Sequence, residues 1–189
     1  NEHRRYGLEL GSVAERSDRF EEACEILTML FSQDRTTFDG EYYALDEAPM
    51  EPKPLQSPLP LLIGGGGEKR TLRTAARFAT EWNCWGRPEE IRHKISVLER
   101  HCDEVGRDPG AIHKSAVGVL IFTETEQEAV ELQQSLGYRS GLVGTPEQLR
   151  QVVAEYAAAG VDELLVPDFA FSIADRNDNL DRFQAEVVN

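Results

Sequence analysis

Four consecutive glycines, Gly64 to Gly67, followed by Lys69 and Arg70, suit one kind of chemistry, the holding of an anion. Backbone amides approach a phosphate closely where no Cβ stands in the way. The run closes the apolar stretch "PLPLLI" and precedes the helix-like segment "TLRTAARF". A helix start placed there offers free amides and the positive end of the macrodipole. The spacing is not the dinucleotide fingerprint, because a G-x-G-x-x-G match from Gly64 needs glycine at position 69, which is lysine. Nor is it a Walker A loop, since G-K-[ST] is missing. The competing reading is a turn whose glycines merely let strand and helix pack closely. Four glycines exceed what a turn requires, which favours phosphate.

A second cluster, "WNCWG", carries Trp82, Asn83 and Trp85 at or near the end of a short strand. There they could bracket a planar ring, or serve as core and rim residues. The four histidines, His3, His93, His101 and His113, form no metal-spaced pair. His93 and His101 are expected to be solvated on one helix, and His3, beside Tyr6, is the one histidine considered for a site. Asp168 follows the last strand, as a polar site residue or a turn cap. Three cysteines, Cys24, Cys84 and Cys102, lack redox or metal spacing and read as reduced thiols of a cytoplasmic protein. No Ser-His-Asp, paired-carboxylate or zinc pattern stands out, so any chemistry is expected to be carried by a cofactor.

These residues need a scaffold. The chain has 189 residues, 40% hydrophobic and 29% charged, enough for one sizeable core. A net charge of −14 opposes nucleic acid and anionic membranes as partners. No run approaches the roughly 18 to 20 apolar residues of a membrane span. The first residue is not Met, and a start inside a longer chain is the expectation.

From Ser12, apolar residues at Phe20, Ala23, Cys24, Leu27, Leu30 and Phe31 recur at helical spacing, with Ser12 and Glu15 as a capping box. Asp39-Gly40 inside "TTFDGEYYAL" predicts a hairpin. The five prolines of "EAPMEPKPLQSPLP" enforce an extended connection. "LPLLIGG" then suits a strand buried on both faces. Leu72, Ala75, Ala76 and Ala79 give the next helix a narrow apolar face. After "ATEWNCWG", Pro88 opens a helix with Ile91, Ile95, Leu98, Cys102 and Val105 inward, ended by Gly106. "IHKSAVGVLIF" reads as one strand, followed by a helix with Thr123 and Glu126 at capping-box spacing. A glycine-containing loop leads to a helix capped by Thr145, with Pro146 first and Leu149, Val152, Val153 and Tyr156 inward. Gly160 ends it, "VDELLVPDF" is a strand, and Leu180, Phe183 and Val187 mark a closing helix. Strands alternating with helices imply parallel pairing with right-handed crossovers. An open α/β sheet and half of an eight-stranded barrel both fit; periodicity does not choose.

In order along the chain, "RSDRFEEACEIL", "FDGEYYAL", "EPKPLQSPLP", "PLLIGGGGEKRTLRTAARFATEWN" and "LVGTPEQLRQVVAEYAAAGVDELLVP" resemble the luciferase-like class of flavin- and deazaflavin-dependent oxidoreductases. The resemblance implies an α/β fold, part of a (β/α)8 TIM barrel made of its last four βα units, with a small β-hairpin insertion. It divides this single domain into residues 1–35, carrying the helix after strand four, residues 36–58, the hairpin and proline-rich connection, and residues 59–189, the four βα units. The strands would be Leu59–Gly64, Ala79–Trp85, Ile112–Phe122 and Asp162–Val166, with the barrel's first four strands absent. By the same resemblance Gly64, Gly65, Gly66 and Gly67 bind the phosphate of F420, or alternatively of FMN. Relatives more often have serine in this loop, so an all-glycine version leaves backbone donors alone. Trp82, Asn83 and Trp85 would face the cofactor mouth, and the loop with His3 and Tyr6 would lie near the cofactor. "IGGGGEKRTLRTAAR" is more similar to deazaflavin-using members than to the alkane-sulfonate monooxygenase branch. The implied activity is hydride transfer between the ring and a small organic substrate. A half barrel leaves two strand edges exposed, so a homo-oligomer is expected. The alternatives are a non-catalytic half barrel that self-associates and binds at most a phosphate, and, more weakly, a doubly wound nucleotide-binding domain.

Overall fold

The capping box at Ser12 sets the first long element of the computed structural model, which describes residues 2–167 and 176–188. A one-turn helix α1 (Glu2–Arg5) comes first. Helix α2 (Val13–Ser32) then starts where Ser12 Oγ accepts from the Glu15 amide at 3.1 Å and the Ser12 amide donates to Glu15 Oε2 at 2.7 Å. Its predicted apolar face is only partly used. Cys24 and Ile26 are buried, whereas Phe20 and Leu27 are exposed. The reason is that α2 meets its neighbour through charge: Asp18 pairs with Arg70, and Glu21 with Arg73 and Arg77.

The hairpin forms from β1 (Thr36–Asp39) and β2 (Ala44–Ala48), paired antiparallel. Four residues, not two, close it, because the carboxylate of Glu22 on α2 accepts from the amides of Glu41, Tyr42 and Tyr43 at 2.7 to 3.1 Å. Gly40 is required by that approach: a Cβ there would lie 2.6 Å from Glu22 Oε2.

Beyond the proline-rich connection come β3 (Leu62–Gly64), α3 (Thr71–Phe78), β4 (Glu81–Trp85), α4 (Pro88–Val105) and β5 (His113–Val117). Next are β6 (Leu120–Phe122), α5 (Glu126–Leu136), β7 (Leu142–Gly144), α6 (Pro146–Ala158), β8 (Glu163–Leu165) and α7 (Arg176–Phe183), which runs into a π-helical turn, Gln184–Val188. Strands β3, β4, β5 and β8 form a parallel sheet in that order, and β6 pairs with β7 in parallel. The order advances in one direction, as in a barrel wall. A doubly wound sheet reverses at a switch point, so the nucleotide-domain alternative is set aside.

Three expectations need correction. β3 is an edge strand, and only Ile63 of it is buried; Leu62 is 50% exposed, not packed on both faces. The stretch Ile112–Phe122 is two strands, broken where Gly118 and Gly141 cross so closely that a Cβ on Gly118 would lie 3.1 Å from the Gly141 backbone. Strand β7, read from sequence as loop, pairs there. Finally, α5 is capped by Thr125, whose hydroxyl accepts from the Glu128 amide at 3.2 Å, rather than by Thr123.

Registration places Ile63, Trp82 and Lys114 on one face, and Gly64, Asn83 and Ser115 on the other. The first face packs with Leu72, Ala75, Ala76, Ile91 and Leu98 in a continuous apolar core. The second holds Leu62, Glu81, His113 and Glu163, none of them buried.

Candidate functional site

Each glycine of the run has its own physical account. Gly65 has φ of +122°, a conformation that side chains rarely tolerate, and its amide donates to the Asn83 carbonyl at 2.9 Å. Gly66 faces Cys84, and a Cβ there would come within 2.9 Å of Sγ; at Gly67 a Cβ would meet Thr71 Oγ1 at 2.7 Å. Gly64 opens onto free space. Close packing therefore explains part of the run. Among the described residues, the amides of Gly66 and Gly67 donate to no protein acceptor, which close packing does not explain.

These glycines stand at the carboxyl ends of β3 and β4, where α/β barrels place ligands. A cavity of about 670 Å³ opens beside them. Gly65 and Gly66 form one wall with Cys84 and Trp85, the first turns of α4 contribute Glu89, Glu90, His93 and Lys94, and Tyr138 closes the far side. Lys94 Nζ donates to Glu68 Oε1 at 2.5 Å, and His93 Nε2 lies 3.2 Å from the same oxygen. The hydrogen bond from Lys94 holds the Glu68 carboxyl below the usual carboxylate range. Burial raises the Cys84 thiol, so it is a packing group and not a thiolate. The site can orient an anion and enclose part of a larger molecule. Among its described lining residues there is no nucleophile held by a base.

Of the residues singled out from sequence, the structure brings only part together. Trp82 is fully buried and lines no part of the cavity; its Nε1 donates to the Gly65 carbonyl at 2.9 Å and so steadies the run from behind. Asn83 donates to Ser115 Oγ at 2.8 Å on the open sheet face. Tyr6, 79% exposed, lies away from the cavity lining; His3 lines a separate groove with Gly7 and Leu8. Arg70 turns to Asp18 and the Ala14 carbonyl, away from the glycines. His101 is not solvated: its side chain is 12% exposed and its Nε2 lies 2.8 Å from the Glu68 carbonyl, anchoring the turn after the run. Asp168 lies outside the described residues. Sequence reading missed Lys94 and Glu68. The available signal was that Lys94 adjoins Ile95 and lies on the flank of the buried stripe of α4.

A parallel barrel wall with a glycine run at its carboxyl edge and a cavity beside it defines an α/β-barrel protein with a candidate ligand site at the strand ends. The family described as luciferase-like monooxygenase matches residues 1–141, and the chain belongs to that family. It is 25% identical over 194 residues to the FMNH(2)-dependent dimethylsulfone monooxygenase of Pseudomonas putida, covering 80% of this chain and 53% of that protein. It is 30% identical over 128 residues to the F420-dependent glucose-6-phosphate dehydrogenase of Kineococcus radiotolerans, covering 66% of this chain and 37% of that one. Among solved structures, an F420-dependent secondary alcohol dehydrogenase in complex with an F420-acetone adduct superposes with a TM-score of 0.74 at 21% identity, covering 95% of this chain and 63% of the other. The chain thus spans about half the length of the dimethylsulfone monooxygenase, and the structural match bears on fold: an α/β chain forming part of a (β/α)8 barrel. No described helix is long and apolar enough to cross a membrane.

Proposed function

We propose that the glycine run holds the phosphate of F420, with FMN as the alternative, in an oxidoreductase that passes a hydride between the cofactor ring and a small organic substrate. The observation that carries this reading is the pair of amides, Gly66 and Gly67, that donate to no described acceptor, with Gly66 lining the same cavity as Lys94. These residues fit a phosphate: bare backbone, a neighbouring cation and a cavity large enough to admit more than the phosphate. When bound, the ring would supply the hydride chemistry. The chain's own groups bind and orient: Gly66 and Gly67 donate, Lys94 neutralises charge, and Trp82 fixes the Gly65 carbonyl. Asn83 and Tyr6 remain proposed cofactor contacts, Asn83 on the open sheet face and Tyr6 through its loop. Relatives named for F420 and for FMNH(2) support a cofactor of this class, and the deazaflavin-like loop favours F420. Buried, unpaired Cys24, Cys84 and Cys102 support a reducing, cytoplasmic setting.

The test is a fluorescence titration with F420 and with FMN, repeated on Gly64→Asp. Position 64 is chosen because a Cβ there would meet nothing within 4 Å, so the substitution adds a negative charge to the run without a clash at Cβ. Saturable binding of one cofactor, weakened at least tenfold in the variant, supports the reading. Binding untouched by the variant refutes it.

A second reading has its own observation. Edge strand β3 and the half-exposed Leu62 are uncovered, which favours a self-associating half barrel. Light scattering separates the two: a monomer that binds cofactor supports the first, and an oligomer that binds neither cofactor supports the second.

A further inference from the structure

We infer that Lys94 is the cation of the phosphate site and that Glu68 is its resident counter-ion, displaced when a phosphate arrives. This rests on the phosphate reading above and adds how the site is kept neutral and what it must release. Three observations converge. The stem of Lys94 passes beside Gly66, with Cε 3.5 Å from where a Gly66 Cβ would stand. Its ammonium is turned to Glu68 Oε1, 2.5 Å away, while Lys94 lines the same cavity as Gly66. The pair is also open to exchange, since the side chains of Lys94 and Glu68 are 25% and 42% exposed.

The other charged groups around the cavity are committed elsewhere or reinforce the pair. Glu90 accepts from the Arg87 amide at 2.9 Å, and Glu89 lies 3.4 Å from Arg87 Nε. His93 shares Glu68 with Lys94. Glu68 is the one acidic side chain that follows the glycine run directly, and its carbonyl is held by His101. Its carboxylate can therefore swing away while its backbone stays. An exposed pair of this kind holds by a factor of at most about five. A phosphate, with more charge and more acceptor oxygens, also engages the amides and outcompetes it.

The proposal makes opposite predictions for the two partners. Calorimetric titration of the chain with inorganic phosphate should show Lys94→Gln binding about tenfold more weakly, the effect of losing a charge-assisted contact. Glu68→Gln should bind about threefold more tightly, because no carboxylate competes. Lys94→Arg should retain binding, which separates loss of charge from loss of packing, and urea midpoints monitor the fold of each variant. Weaker binding in both Lys94→Gln and Glu68→Gln, or no gain in Glu68→Gln, overturns the inference while leaving the phosphate site standing. No phosphate binding by the wild type or any variant overturns the site reading and the inference together.

Discussion

Trp82 shows how a residue picked for one task performs another. Its type and place at a strand end suggested a ring platform, but register with Ile63 and Lys114 turns it into the helix-facing core. Trp82→Phe removes volume and leaves the Gly65 carbonyl without its indole donor. A loss of about 2 kcal/mol is expected in urea unfolding, with weaker cofactor binding because the run is no longer fixed. Cys24 contributes to the alkaline limit of the fold. Burial, with the Glu21 carboxylate adding to it, raises its thiol from 9.0 to about 11. The unfolded thiol ionises first, so the stability this group contributes is complete below pH 9.0 and is lost as pH rises toward about 11. The urea midpoint should fall across that window, and fall less in Cys24→Ala. At this scale the glycine run was legible because four bare residues are a local signal. Lys94 was not, since every polar residue of α4 reads as solvated until the run is placed beside it.

Among the elements, the hairpin and α5 separate local rules from tertiary ones. Asp39-Gly40 announced a turn, yet the loop's length follows from Glu22, which reaches across from α2 to three consecutive amides. Glu22→Gln should speed hydrogen exchange of the Glu41, Tyr42 and Tyr43 amides and lower stability by about 1 kcal/mol, as charged acceptors are stronger than neutral ones. In α5 two threonines compete for the cap. Thr125 wins, and the Thr123 hydroxyl is buried without a partner. Thr125→Ala should therefore cost about 1 kcal/mol, whereas Thr123→Val should be neutral or stabilising, since it removes an unsatisfied polar atom. Thermal unfolding of the two variants checks the assignment. Both threonines precede an acid by three residues, so spacing alone could not rank them.

For the whole molecule, the exposed residues of the sheet's second face bear on the proposed self-association. Leu62 and Leu165 are its exposed apolar residues, on the two edge strands. If copies of the chain associate through this face, Leu62→Lys should shift the species seen by light scattering toward monomer, because an ammonium on an edge strand opposes pairing. An unchanged assembly would remove this face from the interface. The alternation of strands and helices made parallel pairing readable, but not the order of the strands. The strand order β3-β4-β5-β8 separated a barrel wall from a doubly wound sheet.

Sequence by itself determined what depends on neighbours a few residues away: the Ser12 capping box, the Thr145 cap, Pro88 and Pro146 at helix starts, the alanine face of α3, and the bare backbone of Gly64 to Gly67. Those features arise from bonds and periodicities within one turn or one strand. Tertiary structure alone decided which face of β4 is inward, where the chain breaks at Gly118 against Gly141, and that Lys94 and Glu68 meet over Gly66. Each of these joins residues about twenty or more positions apart. Such meetings are set by sheet register and by how closely two backbones can approach, and no local pattern encodes either.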